Sequence, residues 1–110
     1  MAVGLHDELR ALLERNSVET ARGALDVLLT LVSNVLRAPE DAKFRQLKLS
    51  NKVIEGKLAS ADGGLRLLTS LGFVETEPGI MMLPMEADLG ALSHAHRAIA
   101  DAIHAAEPQM

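Results

Sequence analysis

The chain contains no cysteine, and this absence excludes several kinds of chemistry at once. Without a thiol there is no disulfide, no thiolate ligand for a metal and no cysteine nucleophile. Tryptophan and tyrosine are also absent, and phenylalanine occurs only at Phe44 and Phe73. Single-strand binders stack bases on aromatic side chains, and a net charge of −4 is unfavourable beside a phosphate backbone. We therefore expect no nucleic acid partner.

Long hydrophobic runs are absent as well. The most apolar stretch, Val27 to Val32, is interrupted by Thr30 and falls far short of the ~20 residues that a membrane-spanning helix needs. The N-terminal sequence lacks the charged segment and apolar block of a secretory signal. A length of 110 residues is typical of one domain. We therefore expect a single compact domain with no membrane partner, located in the cytoplasm, with the nucleus as a second compartment.

Apolar residues at helical spacing predict two helices in the N-terminal part. The first carries one stripe of leucines, at Leu5, Leu9, Leu12 and Leu13. Asn16 is expected to end this helix and to cap the next, with Glu19 reaching back as in a capping box. The second helix is the longest and most apolar, and Pro39 stops it near Arg37. We expect it to be the central element of the core.

A third and a fourth helix are expected between Lys52 and Gly72. The first of these is short and covers Lys52 to Lys57. Ser60 is a candidate N-cap for the second, which presents leucines on one face. If Gly72 takes the left-handed conformation, Phe73 packs on Leu68 in a Schellman cap. This geometry makes Phe73 a core residue.

Extended segments are expected on both sides of that helix. Residues Phe44 to Lys48 alternate weakly between polar and apolar side chains, which indicates a short strand. Two apolar runs flank Pro78 and Gly79, which are turn residues, and together they predict a hairpin. Because two strands alone are marginal, the earlier strand is the candidate third. Asp88 is expected to cap a final helix.

The chain carries a concentrated positive charge between Lys43 and Lys57. This window holds five basic residues against one acidic residue, whereas the rest of the chain holds six against fourteen. A positive segment on an acidic protein is a candidate docking site for a negative partner. The alternative is that these lysines form a solvated face, since most surface charges do little.

Motifs that carry catalytic chemistry are nearly absent. His94 and His96 are two residues apart on one predicted helix, so they point to different sides and are read as solvated side chains rather than as a metal pair. Gly63 and Gly64 are too short a run for a phosphate loop. No serine stands in a nucleophile motif. We therefore expect no enzymatic activity, no metal and no cofactor.

Two stretches resemble a known family. The first is Asn34 to Ile54, NVLRAPEDAKFRQLKLSNKVI, and the second is Gly63 to Phe73, with G-x-x-LL followed by LGF. Both closely resemble the PUB domain, also called PUG, which occurs in peptide:N-glycanase, in UBX-domain proteins and in a linear-ubiquitin ligase. The resemblance implies an α+β fold, a small helical domain packed with a short three-stranded antiparallel sheet. Residues 1–15 would form an N-terminal helix and residues 16–106 the PUB-like domain.

The resemblance also implies a function. Such domains bind the acidic C-terminal tail of the valosin-containing AAA ATPase, so the chain is expected to be a non-enzymatic adaptor in the ubiquitin–proteasome pathway and in ER-associated degradation. The asparagines would bond to the peptide backbone, and the lysines would pair with its acids. The peptide-binding residues expected on this basis are Asn34, Phe44, Lys48, Asn51, Lys52 and Ile54, with Arg45 and Lys57 as rim charges.

Two residues depart from the family pattern. Phe44 stands where the family commonly has tyrosine, so the ring is kept but the hydroxyl is lost. Ile54 stands where the family commonly has phenylalanine, which implies a shallower apolar surface.

Other interpretations remain open at this point. Asn51 is also a natural helix cap, Asn34 could face solvent, and Phe44 could fill the core. The run Leu71-Gly72-Phe73 is similar to the loop that ubiquitin-associated domains present to ubiquitin, so ubiquitin is a second candidate partner. A third hypothesis is that the chain is a diverged domain that has lost tail binding and acts as a scaffold.

Overall fold

The computed structural model describes residues 4–106, which form a set of helices and one small sheet. In chain order the elements are α1 (Leu5–Arg15), α2 (Val18–Arg37), a 3₁₀ turn (Ala42–Phe44), β1 (Gln46–Lys48), a π-helical segment (Ile54–Ala59), α3 (Gly64–Ser70), β2 (Val74–Glu77), β3 (Ile80–Met82) and α4 (Leu89–Ala106). This is the predicted α+β class, with a three-stranded antiparallel sheet. None of the helices described is long and apolar enough to cross a membrane.

Helix α2 is the central element of the core, as predicted. It packs against α4 and against the π-helical segment. Each aliphatic side chain larger than alanine that is buried here contributes about 1.5–3 kcal/mol relative to exposure. The helix ends at Arg37, just before Pro39, because proline lacks an N–H and disfavours helix in the residue before it. Its fully buried residues are Ala21, Ala24, Leu25, Leu28, Val32 and Val35.

Asn16 ends α1, as predicted, but it does not cap α2. Ser17, not Asn16, caps α2, and its Oγ accepts a hydrogen bond from the Thr20 N–H at 3.2 Å. Asn16 instead bridges two distant parts of the chain. Its Nδ2 donates to the carbonyls of Leu12 at 2.8 Å and of Asp62 at 3.0 Å, and its Oδ1 accepts from the Asp62 N–H at 3.0 Å. The side chain that could have capped α2 is therefore committed to a tertiary contact.

The sheet has the strand order β1-β3-β2. Strands β2 and β3 form the predicted hairpin, with Gly79 at φ 82° in its turn. The third strand comes from the expected stretch but is shorter, because Phe44 belongs to a 3₁₀ turn that Asp41 caps by accepting from the Lys43 N–H at 3.1 Å. Leu47 in β1 is opposite Met81 in β3, and both are 7% exposed. One face of the sheet thus joins the core.

The segment after β1 is helical, as predicted, but it continues as a π-helix to Ala59. Ser60 does not cap the next helix, because its hydroxyl donates back to the Gly56 carbonyl at 2.6 Å. Helix α3 begins only at Gly64, after Gly63 in the left-handed conformation with φ 92°. The predicted Ser60 cap is therefore wrong.

The end of α3 is the predicted Schellman cap. Gly72 has φ 108°, and its N–H donates to the Thr69 carbonyl at 3.0 Å. The Phe73 N–H donates to the Leu68 carbonyl at 3.1 Å. Both bonds have the pattern of this cap, and Phe73 is 1% exposed. The ring is a core residue, as predicted.

Helix α4 begins at the predicted cap. The Asp88 Oδ1 accepts from the N–H groups of Gly90 at 2.8 Å and Ala91 at 3.3 Å. The helix then buries Leu92 and Ile99 against the core, at 3% and 0% exposure. It thereby completes the face on which α2 packs.

Gly64 is the point where α3 meets the π-helical segment. A Cβ built on this residue would overlap the carbonyl oxygen of Leu58, although Gly64 has no positive φ. The requirement for glycine is therefore steric: two stretches of backbone touch here. This contact accounts for the first residue of the G-x-x-LL motif.

Replacing this glycine should destabilise the fold. Gly64→Ala is expected to lower the free energy of unfolding by about 1–3 kcal/mol, because the methyl group would push α3 away from Leu58. Gly23→Ala is the matched control, since a Cβ there meets no atom within 4 Å. Urea unfolding followed by circular dichroism measures both. Equal stability of the two variants would show that the backbone contact does not need glycine.

Candidate functional site

A groove of about 760 Å³ lies between α2 and the segment from Lys43 to Lys57. Four residues of α2 form one wall, spaced i, i+1, i+4 and i+5 so that they share one side of the helix: Asp26, Val27, Thr30 and Leu31. The opposite wall comes from β1, from the turn after it and from the start of the π-helical segment. The positive window identified in the sequence is therefore one side of a concave surface.

The floor of the groove is apolar. Val27, Leu47 and Ile54 line it and are 9%, 7% and 5% exposed, so they join the core below to the groove above. Val53 also lines the groove and is 53% exposed. An exposed valine beside buried aliphatic residues offers a surface on which a ligand could bury an apolar side chain.

Asn51 lies at the start of the helical segment and lines the groove. Its Oδ1 accepts from the N–H groups of Val53 at 2.9 Å and Ile54 at 3.4 Å, which is the geometry of a helix cap. The Nδ2 group has no partner among residues 4–106. The capping interpretation is therefore confirmed, and one amide donor remains available to a ligand.

The groove is positively charged. Lys43, Lys48 and Lys57 line it, against one acid, Asp26. The Lys43 Nζ lies 3.8 Å from the Asp41 Oδ2 and 5.2 Å from the centre of the Phe44 ring. Lys48 and Lys57 form no ion pair within the described residues. Two unpaired ammonium groups beside an apolar floor can attract and hold a negatively charged chain.

Four predicted residues thus meet in the groove: Lys48, Asn51, Ile54 and Lys57. Asn34, Phe44 and Lys52 do not line it. The Asn34 Oδ1 accepts from the Arg37 Nη2 at 2.7 Å, and Phe44 is half-buried against the core. Lys52 is exposed outside the groove. Their predicted roles in binding stay predictions.

Arg45 is not a rim charge, and this part of the prediction is wrong. The side chain is 3% exposed, with Nε donating to the Pro39 carbonyl at 2.8 Å and Nη1 to the Pro84 carbonyl at 2.7 Å. The guanidinium therefore ties two loops to β1. In sequence it was one more cation of the basic run, since nothing nearby in the chain shows the distant carbonyl of Pro84.

The sequence interpretation also missed part of the groove. The α2 wall has the same residue types as core or surface, and Val53 and Gln46 stand between charged residues with no binding motif of their own. The available signal was the width of the apolar stripe on α2. Val27 and Leu31 extend it beyond the width that one core face uses.

The run Leu71-Gly72-Phe73 does not present an aromatic ring to a partner. Phe73 is 1% exposed and held by the Schellman cap, so the ubiquitin-binding alternative, which needs an exposed ring, is corrected by the structure. The histidines are also more engaged than expected. His96 Nε2 is 2.9 Å from the Ser33 Oγ, and the ring of His94 lies edge-on to that of His6. Residues 4–106 hold no cluster of three metal-ligating side chains.

A small α+β domain with a basic, apolar-floored groove has the features of a peptide-binding module. A family model for the PUB domain matches residues 18–97. The peptide-N(4)-(N-acetyl-β-glucosaminyl)asparagine amidase of Drosophila melanogaster is 39% identical over 77 residues, 69% of this chain and 12% of that protein. Plant UBX domain-containing protein 2 of Arabidopsis thaliana is 39% identical over 57 residues, 52% of this chain and 12% of that protein. The human amidase is 32% identical over 78 residues, 71% of this chain and 12% of that protein.

The chain therefore belongs to the PUB domain family, a protein-interaction module found in peptide N-glycanases and UBX-domain proteins. It spans only 12% of the length of the relatives described. The similarity thus concerns one module within each of those longer proteins.

Arg45→Met should destabilise the domain without removing a ligand contact. The variant keeps an apolar stem but removes the charged donor from the Pro39 and Pro84 carbonyls, of which Pro84 keeps only the Ala87 N–H at 3.1 Å. A hydrogen bond to a charged group is worth about 1.5–3 kcal/mol. Lys52→Met is the control, because an exposed side chain away from the groove should change stability by about 0.5 kcal/mol or less. Chemical unfolding compares them. If both variants are as stable as the parent, the two loop contacts do not support the fold.

Proposed function

We propose that the groove binds the acidic C-terminal tail of the valosin-containing AAA ATPase and that the domain is a non-enzymatic adaptor. The observation that carries this proposal is the pair of unpaired lysines, Lys48 and Lys57, beside an apolar floor. The tail implied by the family resemblance is acidic and contains a leucine and an aromatic residue. Its charge fits the lysines, and its apolar side chains fit the floor.

Each part of the groove has a separate role in this proposal. Val53 and the aliphatic floor take an apolar side chain of the tail, which supplies most of the affinity through buried area. The Nδ2 of Asn51 donates to a backbone carbonyl of the peptide. Lys48 and Lys57 pair with its acids, and as exposed charges they affect the association rate and the choice of partner more than the affinity.

The two departures from the family pattern have defined consequences here. Ile54 is 5% exposed, so it belongs to the floor rather than to a deep pocket, and the apolar contact it offers is small. Phe44 packs on the core and lies under the Lys43 ammonium. We infer that this copy holds the tail mainly through Val53 and Asn51, and that the lysines select its acids.

An adaptor acts by bringing the rest of its protein to a partner. The relatives described carry this module as 12% of their length. We infer that the domain recruits its protein to the ATPase in protein quality control, in the cytoplasm and nucleus, and that it needs no cofactor. Any catalytic activity would reside outside the module.

The direct test is a titration with a synthetic tail peptide, read by residue-resolved amide shifts. The shifts should cluster on Lys48, Asn51, Val53 and Ile54, and the affinity should fall as NaCl is raised from about 0.05 to about 0.5 M, because salt screens exposed charge pairs. A peptide with its acids replaced by amides is the control. Absence of shifts at high peptide concentration would mean that this copy has kept the fold and lost the partner.

Asn51→Asp separates the capping role from the binding role. Aspartate is as good a helix cap as asparagine, so stability should not change. The variant replaces the Nδ2 donor by a carboxylate oxygen that faces an acidic ligand, and binding should weaken by about 1–3 kcal/mol. Arg66→Gln changes the net charge by the same amount on α3, outside the groove, and should bind almost normally. Isothermal titration calorimetry measures the affinity of both variants for the tail peptide. Equal losses of affinity would mean that net charge matters and that the Asn51 amide does not.

A further inference from the structure

The groove does not end at Lys57. A second concavity of about 330 Å³ lies further along the same two elements, toward the N-terminus of α2. Lys57 lines both concavities, so they meet at this residue. We call the second one the glycine cleft, and it is lined by Glu19, Thr20, Gly23, Gly56, Lys57 and Ser60.

The fold itself requires neither glycine of the cleft. Gly23 lies inside α2 and Gly56 inside the π-helical segment, neither has a positive φ, and a Cβ on either meets no atom within 4 Å. Gly64, by contrast, is required by the backbone of Leu58. Glycine inside a helix is unfavourable relative to alanine. Packing within the chain therefore does not explain why these two positions are glycine. Without side chains they leave open space and expose backbone that an extended ligand can approach.

The balance of charge changes along the groove. The end near β1 carries Lys43 and Lys48 opposite Asp26, whereas the glycine cleft carries one acid, Glu19, beside the shared Lys57. Neither acid forms an ion pair within the described residues. Because Lys57 pairs with an acid of the tail in the proposed complex, Glu19 is the remaining charge of the cleft. Acidic residues of a ligand are thus favoured near β1 and disfavoured beside Glu19, since like charges repel and opposite charges select the partner.

We propose that the glycine cleft is a second subsite for the same peptide and that it accepts a small or basic residue upstream of the acidic tail. This inference rests on the proposed function. We place the C-terminus of the ligand near Lys43 and Lys48, whose positive charge fits its carboxylate, so its chain continues upstream toward the cleft. From Thr30 to Thr20 the helix rises about 15 Å, which about five residues of extended peptide span. The basic end of the groove therefore selects acidic residues in a longer ligand, and the glycine cleft selects against acidic residues upstream of them.

The test compares three synthetic peptides on the same domain. The first is the acidic tail alone, and the others add five upstream residues of glycine and serine with either one lysine or one glutamate. The lysine peptide should bind at least about fivefold more tightly than the tail alone, and the glutamate peptide should gain nothing. Equal affinity of all three peptides would overturn the second subsite and leave the proposed function standing.

Variants locate the effect. Gly23→Gln combined with Gly56→Gln fills the cleft from positions where a side chain meets open space, so it should abolish the gain from the lysine peptide and leave the short tail unaffected. Glu19→Gln should remove the preference for lysine over glutamate. Because Glu19 also stands in the first turn of α2, the stability of the Glu19→Gln variant is measured as well.

If the variant with both glutamines still binds the lysine peptide more tightly than the tail alone, the upstream residues bind outside the cleft. If no peptide binds the parent, the proposed function fails and the subsite fails with it.

Discussion

The burial of α2 is the constraint on which the rest of the structure depends. One face of this helix supplies the fully buried residues on which α4 packs, and a neighbouring face is covered by the π-helical segment. The apolar stripe on α2 is wider than these two contacts need, so Val27 and Leu31 are left beside a groove that β1 and the following turn only partly close. The interaction surface is thus a consequence of the same helix that stabilises the core.

Charge is placed where the groove opens. Lys48 and Lys57 lack partners within the described residues, whereas Asp26 and Glu19 occupy the opposite wall and the far end. A ligand must therefore match an apolar floor and a charge distribution together. Electrostatic complementarity of this kind contributes selectivity and association rate more than affinity.

Two side chains, the buried Arg45 and the partly exposed Asn16, hold distant segments of the chain together, and neither contact is visible in the sequence. Arg45 fastens β1 to the loops around Pro39 and Pro84, and Asn16 fastens the end of α1 to Asp62. From the sequence alone, Arg45 is one of five cations in the basic window and Asn16 is a candidate helix cap. Half of the predicted site residues do line the groove, because they lie on one short segment whose turns bring them to the same side.

By itself the sequence determined the features whose causes lie within a few residues. These are the end of α2 before Pro39, the Schellman cap at Gly72, the hairpin at Gly79 and the cap at Asp88, and local backbone preference is enough to explain them. Only the tertiary structure decided which cation is buried, which helix face becomes a groove wall and which glycine is required. Those outcomes depend on partners such as Pro84, 39 residues from Arg45, and local sequence carries no information about a group that folding brings into contact from so far away.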